Sequence, residues 1–130
     1  MNNELVSYDE RLRTLVVRPR GELTTERVMI VLRTMATHPK MGRRVPSIWD
    51  LREASVGAIS TASLAPILAF VKENSSWRGR ARIGLVTTDP AMYGMMRVYE
   101  QLASDYLECI QCDSMEDAER WLAEERVRGA

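Results

Sequence analysis

Short apolar segments rich in β-branched residues alternate with amphipathic segments along most of this chain, and this alternation limits the folds available to it. Such strands, when separated by helices, are joined by right-handed crossovers and lie parallel in the sheet. The order β-β-α-β-α-β-α-β-α predicts an α/β fold with a mixed, mostly parallel five-stranded sheet and four helices. An initial hairpin supplies the antiparallel part. The predicted strands cover residues 5–8, 12–18, 45–51, 81–87 and 106–112.

Three of the four helices carry recognisable start signals. Thr24 is a plausible N-cap, with Leu23 and Val28 in the positions of a hydrophobic staple. Asp89 precedes Pro90, which suits the first helical position, and Ser114 opens the last helix. Apolar residues at helical spacing predict the buried stripes, which are Val28, Val31, Leu32 and Met35; Leu64, Ile67, Leu68 and Val71; Met92, Met95, Met96, Tyr99 and Leu102; and Met115, Ala118, Trp121 and Leu122.

The start of the second helix is ambiguous. Ser60 as N-cap makes a staple of Ile59 and Leu64, but it places Pro66 inside the helix, where a hydrogen bond is lost. A start at Ser63 places Pro66 in the first turn, where no bond is missed. We predict the start at Ser60, with a local distortion at the proline.

Composition excludes several classes of function. Eighteen basic and eighteen acidic residues give a net charge of zero, which argues against nucleic acid and anionic membranes as partners. No stretch is apolar enough to span a membrane, and the N-terminus lacks the apolar core of a signal peptide. We therefore expect one cytoplasmic domain over residues 1–130.

Catalytic and metal-binding constellations are missing from the sequence. One histidine and two cysteines leave little for a metal site or a nucleophile–base pair, so we predict no enzyme, metal or cofactor. Cys109 and Cys112 have the C-x-x-C spacing, but on a strand they point to opposite faces. We interpret them as structural, while a thiol site at a helix start stays open.

Polar residues follow the predicted strands at the edge where α/β sheets bind ligands. Asp50 and Arg52 end one strand, while Tyr93 and Arg97 lie one turn apart on the third helix. Each also has a structural interpretation, as an ion pair, a helix cap or a packed ring. In particular, Asp50 could form a structural ion pair with Arg52 or with Arg97, and Arg97 could instead hold an external anion; for both arginines we favour the structural pair. The candidate binding residues are Asp50, Arg52, Ser60, Thr61, Tyr93 and Arg97.

Four segments occur in an order that resembles a known bacterial group. They are residues 21–24 (GELT), 49–52 (WDLR), 93–97 (YGMMR) and 116–122 (EDAERWL). The chain is similar along nearly its whole length to the sporulation anti-sigma-factor-antagonist-like proteins, which are related to STAS domains. This resemblance implies a STAS-like domain that acts as a regulatory binding module without enzymatic activity.

The resemblance also implies a phosphoacceptor and two kinds of partner. Antagonists carry a serine at the start of the second helix that an anti-sigma kinase phosphorylates, and Ser60 stands at the matching place. The sequence departs from their Asp-Ser-Ser-Gly pattern, since residues 59–62 read ISTA. The expected partner is a protein of the anti-sigma-factor or kinase type. The alternative is a small ligand, either a lipid or an anionic metabolite, held between the second and third helices.

Overall fold

The computed structural model describes residues 6–57 and 59–129, with side chains through residue 124. Strands and helices alternate in the predicted order, with two additional short strands. The strands are β1 (Val6–Asp9), β2 (Thr14–Val17), β3 (Gly21–Glu22), β4 (Ser47–Asp50), β5 (Ala54–Ser55), β6 (Ala81–Val86) and β7 (Leu107–Cys112). The helices are α1 (Thr25–Ala36), α2 (Leu64–Arg78), α3 (Pro90–Ala103) and α4 (Met115–Gly129).

The five longer strands form one mixed sheet in the order β1-β2-β4-β6-β7. Among the described strands of this sheet, only β1 and β2 pair antiparallel, while β2, β4, β6 and β7 run parallel. The predicted fold class is confirmed. The parallel β3–β5 pair was not predicted, and it ties the segment after β2 to the segment after β4. None of the described helices combines the length and the apolar character needed to cross a lipid bilayer.

Helices cover both faces of the sheet. Successive side chains of a strand point to opposite faces, so the same strands contribute apolar residues to both. Trp49, Ile83 and Leu85 face the core formed with α1, α2 and α3. Ile48 and Val86 face the other side, where they pack against α4. The smaller core on that side consists of Leu12, Ile48, Val86, Ala118 and Leu122.

The local start signals agree with the structure at three helices. The Thr24 side chain accepts from the Arg27 amide at 3.1 Å, and the Asp89 carboxylate accepts from the Met92 amide at 3.2 Å. Ser114 Oγ accepts from the Asp117 amide at 3.1 Å. These caps are confirmed, since each satisfies an otherwise unbonded amide of the first turn.

The predicted start of α2 at Ser60 is wrong. The helix begins at Leu64 with Ser63 as the N-cap residue, so Pro66 lies in the first turn. A proline there costs no hydrogen bond, which outweighs the staple that a start at Ser60 would have made.

The structure also differs from the predictions at one expected core residue and at some strand ends. Leu102 is 49% exposed, since the buried face of α3 runs from Met92 to Ala103 and Leu102 lies beside it. The hairpin turn is longer than predicted, because the Asp9 side chain accepts from the Leu12 amide at 3.0 Å and β2 starts at Thr14.

Candidate functional site

The carboxyl ends of the parallel strands meet at one edge of the sheet, which we call the carboxyl rim. It is formed by Asp50, the last residue of β4, and by the segments that follow the parallel strands, which are Arg18 after β2 and residues 51–52, 87–89 and 113–114 after β4, β6 and β7. Backbone hydrogen bonds hold these segments together beyond the strands. The Leu51 amide donates to Val86 O at 2.8 Å, and the Thr87 amide donates to Cys112 O at 3.0 Å. The rim is therefore a continuous surface.

Asp50 and Arg52 form a forked ion pair at this rim. Arg52 donates from Nε to Oδ1 and from Nη2 to Oδ2 of Asp50, both at 2.8 Å, and its backbone amide adds a bond at 3.3 Å. The Asp50 side chain is 9% exposed and that of Arg52 is 42% exposed. Arg18 approaches the same carboxylate at 3.6 Å. The arrangement fixes the carboxylate and leaves the outer part of the Arg52 guanidinium in solvent.

Asp50 pairs with Arg52 and Arg18, and the alternative pairing with Arg97 is wrong. No ion pair involves Arg97 in the part of the chain that the structure describes. Arg52 is only two residues from Asp50, and the turn after β4 brings its guanidinium onto the carboxylate. Arg97 lies instead on the exposed surface of α3.

The hydrogen bonds from Arg52 lower the pKa of Asp50, and the nearby guanidiniums of Arg52 and Arg18 add to that effect against the opposing effect of burial. A carboxyl with a lowered folded-state pKa stabilises the fold above its unfolded pKa, and this contribution is lost as the pH falls.

Asp50→Asn should therefore lower the free energy of unfolding at pH 7 by about 1 kcal/mol, a small value because Arg52 is partly solvated. The difference from the wild type should shrink as the pH falls below about 3.9, the ordinary pKa of an aspartate, because protonation of Asp50 removes the charge that Arg52 binds. Urea unfolding of both proteins across this pH range measures it. A difference that is constant with pH would show that the carboxylate charge contributes nothing.

Ser60 and Thr61 lie in the exposed turn before α2. Ser63 does not cap the helix through its side chain; its Oγ accepts from the Ser60 amide and lies 3.2 Å from Ser60 Oγ. The amides of Ser63 and Leu64 donate to the carbonyls of Ser60 and Thr61. The Ser60 hydroxyl is therefore exposed to solvent shortly before the start of α2.

Tyr93 and Arg97 occupy successive turns of α3. Tyr93 is 48% exposed, and its carbonyl accepts from Gln111 Nε2 at 3.1 Å. The two side chains share one face of the helix. Within the described residues, no hydrogen bond or ion pair joins them to Asp50, Arg52 or Ser60. The structure thus brings Asp50 and Arg52 together, and it places the other candidates on neighbouring elements.

An apolar cavity of about 70 Å³ lies between the sheet and the helices α1, α2 and α3. Ile59, Leu64 and Met96 all line it, so the turn before α2 and the helix α3 flank the same space. Two polar atoms of lining residues, Ser47 Oγ and Arg78 Nε, are buried without a hydrogen-bond partner among the described residues. The sequence pattern missed this feature, since both residues lie within otherwise ordinary strand and helix segments.

Burial lowers the pKa of Arg78 and raises that of Tyr99, which also lines the cavity. Arg78 Nη2 donates to Val45 O at 3.2 Å. The guanidinium therefore keeps one internal partner while its Nε stays unbonded beside apolar side chains.

The chain was compared with known protein families, curated protein sequences and solved structures. Neither a protein-family profile nor a curated protein sequence matches the chain. Among solved structures, it is similar to an uncharacterised protein of the DUF3478 family with a SpoIIAA-like fold from Shewanella loihica PV-4, at 16% identity and a TM-score of 0.61. That likeness covers 92% of this chain and 91% of the other. The unphosphorylated anti-sigma factor antagonist SpoIIAA matches at 20% identity and a TM-score of 0.54, over 98% and 99% of the two chains.

This chain has a SpoIIAA-like fold. The likeness covers both chains almost from end to end. The predicted STAS-like architecture is confirmed.

The two cysteines of this SpoIIAA-like fold lie within β7 and not at a helix start. Cys109 packs against the larger core and Cys112 against the smaller one, so they point to opposite faces of the sheet. Burial raises the pKa of Cys109 to about 12 and also raises that of Cys112. Both thiols stay protonated at neutral pH, which supports the structural interpretation. In the described part of the chain, no group of three or more His, Cys, Asp or Glu side chains could hold a metal ion.

Proposed function

We propose that this chain is a non-enzymatic regulatory module that binds a protein partner through a docking surface on the SpoIIAA-like fold. The docking surface comprises Ser60 and Thr61 before α2, Tyr93 and Arg97 on α3, and the Asp50–Arg52 pair at the carboxyl rim. The similarity to an anti-sigma factor antagonist supports a protein as the partner. That protein would be of the anti-sigma-factor or kinase type.

The exposed pair on α3 carries this proposal. Tyr93 is one of four large hydrophobic residues exposed in the described chain, and Arg97 follows it by one turn. Tyrosine and arginine are enriched among the residues that dominate protein–protein binding energy. Because neither side chain has a hydrogen bond or ion pair within the described residues, a partner could bury both without breaking internal contacts.

The Asp50–Arg52 pair adds a guanidinium group of fixed orientation to the docking surface. The two bonds at 2.8 Å hold the guanidinium in one orientation, and its remaining donors face solvent. A partner that binds these donors would therefore cost little further conformational entropy in the Arg52 side chain. A carboxylate or carbonyl of the partner would fit these donors.

Ser60 is the proposed phosphoacceptor. It is exposed, and its hydroxyl contacts only the Ser63 side chain among the described residues. A phosphate there would add roughly two negative charges at the start of α2, where the helix dipole favours them. The partner would then meet a changed charge at the edge of the docking surface. Because residues 59–62 differ from the antagonists' pattern, the modifying kinase would have its own sequence preference.

Affinity capture from a bacterial lysate, with quantification of the bound proteins, tests the docking surface. We expect the double variant Tyr93→Ala/Arg97→Ala to lose at least about tenfold of a partner that the wild type captures. Ser60→Asp should also reduce the capture of that partner. The matched control is Ile30→Ala/Arg33→Ala, which removes an exposed apolar residue and an arginine from α1.

The control should retain the partner at the wild-type level. If the α3 variant captures the same proteins as the control, the docking surface is wrong. Equal loss in both double variants would also refute it, because the effect would then not be specific to α3.

A second candidate function rests on the apolar cavity. Ser47 Oγ and Arg78 Nε are the kind of buried, unbonded polar groups that a ligand could satisfy. At about 70 Å³ the cavity is smaller than the roughly 150 Å³ that holds benzene, so a lipid would require α2 to move outward. The ligand would be a small apolar molecule with one acceptor group.

Native mass spectrometry of freshly purified protein tests this candidate. We expect an adduct on the wild type that is absent from Arg78→Met, which keeps the apolar length of the side chain and removes its donors. A wild-type mass equal to that of the bare chain would refute the small-ligand function without affecting the docking surface.

A further inference from the structure

A cleft of about 440 Å³ opens at the edge of the sheet opposite the carboxyl rim. It lies where β2, β4, β6 and β7 begin and where β1 ends, so residues distant in sequence meet there. The volume falls in the range of small-molecule sites. We call it the arginine cleft; it is lined by Tyr8, Leu12, Arg13, Arg43, Arg44, Val45, Pro46, Arg80, Arg82, Glu108 and Leu122.

Among the described residues, five arginines and a single carboxylate line this cleft, in a chain with no net charge. Glu108 lies 3.8 Å from Arg80 and 3.5 Å from Arg82, and it offsets part of their charge. The other three arginines, Arg13, Arg43 and Arg44, form no ion pair with the described residues. The described residues of the cleft therefore carry an excess of positive charge over negative charge.

Two of these arginines have an unusual backbone. Arg13 has a φ of 52° and Arg44 a φ of 61°, and they are the only non-glycine residues with positive φ in the described chain. Glycine or asparagine ordinarily occupies such positions, because other side chains are strained there. Both exceptions are arginines, and both line the same cleft. Local strain of this kind is concentrated at functional sites.

Gly79 brings two of the arginines together over the end of α2. A Cβ at this position would lie 3.4 Å from Arg44 Cγ and 3.5 Å from Arg43 Cζ, so both side chains pass directly over the glycine. Its φ of 75° also favours glycine. The Arg44 amide donates to Arg78 O at 2.7 Å, which fixes the turn that carries both arginines.

The rest of the lining is apolar. Leu12 and Leu122 belong to the smaller core, and they line the cleft together with Val45 and the Tyr8 side chain. Guanidinium groups recognise phosphate oxygens through paired hydrogen bonds, while an apolar wall suits a ring or a short chain.

We propose that the arginine cleft binds a small molecule that carries a phosphate group and an apolar or aromatic portion. Arg13, Arg43 and Arg44 bind the phosphate oxygens, and the apolar portion lies over Leu12, Val45 and Leu122. The site is on the opposite edge from the docking surface, so it goes beyond the proposed function. A small molecule fits better than nucleic acid, because the charge is confined to a cleft of about 440 Å³ on a chain with no net charge.

Isothermal titration calorimetry with pyrophosphate and with adenosine diphosphate tests the site at low salt. We expect the wild type to bind both, and adenosine diphosphate more tightly because it can also use the apolar wall. Arg13→Asn and Arg44→Asn should each weaken both ligands by at least about tenfold. Asparagine tolerates positive φ, so these variants should fold at least as stably as the wild type.

Arg33→Ala is the matched control, since it removes an exposed arginine from α1 and should bind like the wild type. Equal affinities in the wild type and the two asparagine variants would overturn the site, as would an absence of binding by the wild type. Equal affinity for pyrophosphate and adenosine diphosphate would overturn the role of the apolar wall. A single-stranded oligonucleotide that bound more tightly than adenosine diphosphate would show that the cleft serves nucleic acid instead.

Discussion

Ile67→Ala should lower the free energy of unfolding by about 3 kcal/mol. Ile67 is 4% exposed and packs from α2 toward the sheet, beside the apolar cavity. The substitution removes three buried carbon atoms, and the rigid strands on the opposite wall cannot move in to fill the space. The cavity should therefore grow by most of the lost side-chain volume. Urea unfolding of the two proteins measures the change.

Benzene gives this prediction a second readout. The enlarged cavity should be large enough for benzene, so a benzene-saturated buffer should raise the melting temperature of Ile67→Ala and leave the wild type unchanged. Ile30→Ala is the matched control, because it makes the same chemical change at a side chain that is 40% exposed. Its stability should change by less than about 1 kcal/mol. Equal losses in the two variants would contradict the packing of α2 described above.

Ile48→Ala should have a similarly large effect on the opposite face of the sheet. Ile48 is fully buried within the smaller core, which joins α4 to β4 and β6. Its truncation should cost about 3 kcal/mol and remove one of the three strand and loop residues of the smaller core against which α4 packs. Hydrogen exchange should then show that the amides of α4 lose protection before those of α1, α2 and α3.

A uniform loss of protection in all four helices would contradict this account. It would mean that α4 and the larger core unfold as one unit, in spite of their separate sets of packed residues. Ile30→Ala again serves as the control, since its truncation touches neither core directly.

Sequence patterns sufficed for the order of elements because those patterns are local. Period-two and period-3.6 spacing of apolar residues indicates strands and helices without knowledge of their neighbours. The caps at Thr24, Asp89 and Ser114 were predictable for the same reason, since each bond spans three residues. The start of α2 was not, because two serines compete there and Pro66 changes which one is favoured.

Features that depend on tertiary contacts escaped prediction. The β3–β5 pair joins two-residue strands more than thirty residues apart, and strands so short have no periodicity to detect. Leu102 fits the apolar spacing of α3 but falls at the edge of its buried face. The residues of the rim were predictable from their place at the ends of strands. Arg52 was one of two predicted partners of Asp50, but the sequence alone could not decide between it and Arg97.

The arginine cleft was invisible to sequence reasoning for a different reason. Its charged residues come from the β1–β2 turn, the segment before β4 and the segment around the start of β6, and only the sheet topology brings them together. A net charge of zero further hides the local excess, because acidic residues elsewhere cancel it in the total.

The parallel sheet also sets the order in which the chain can acquire structure during synthesis. In the described part of the sheet, only the β1–β2 hairpin pairs strands that are adjacent along the chain, and each parallel pairing must wait until an intervening helix has been synthesised. The outer edge of β6 gains its partner when residues 107–112 emerge from the ribosome. Ile48 and Val86 are covered later still, when α4 emerges. Until then the nascent chain presents an open strand edge and an apolar face, which are the features that chaperones bind and that promote aggregation.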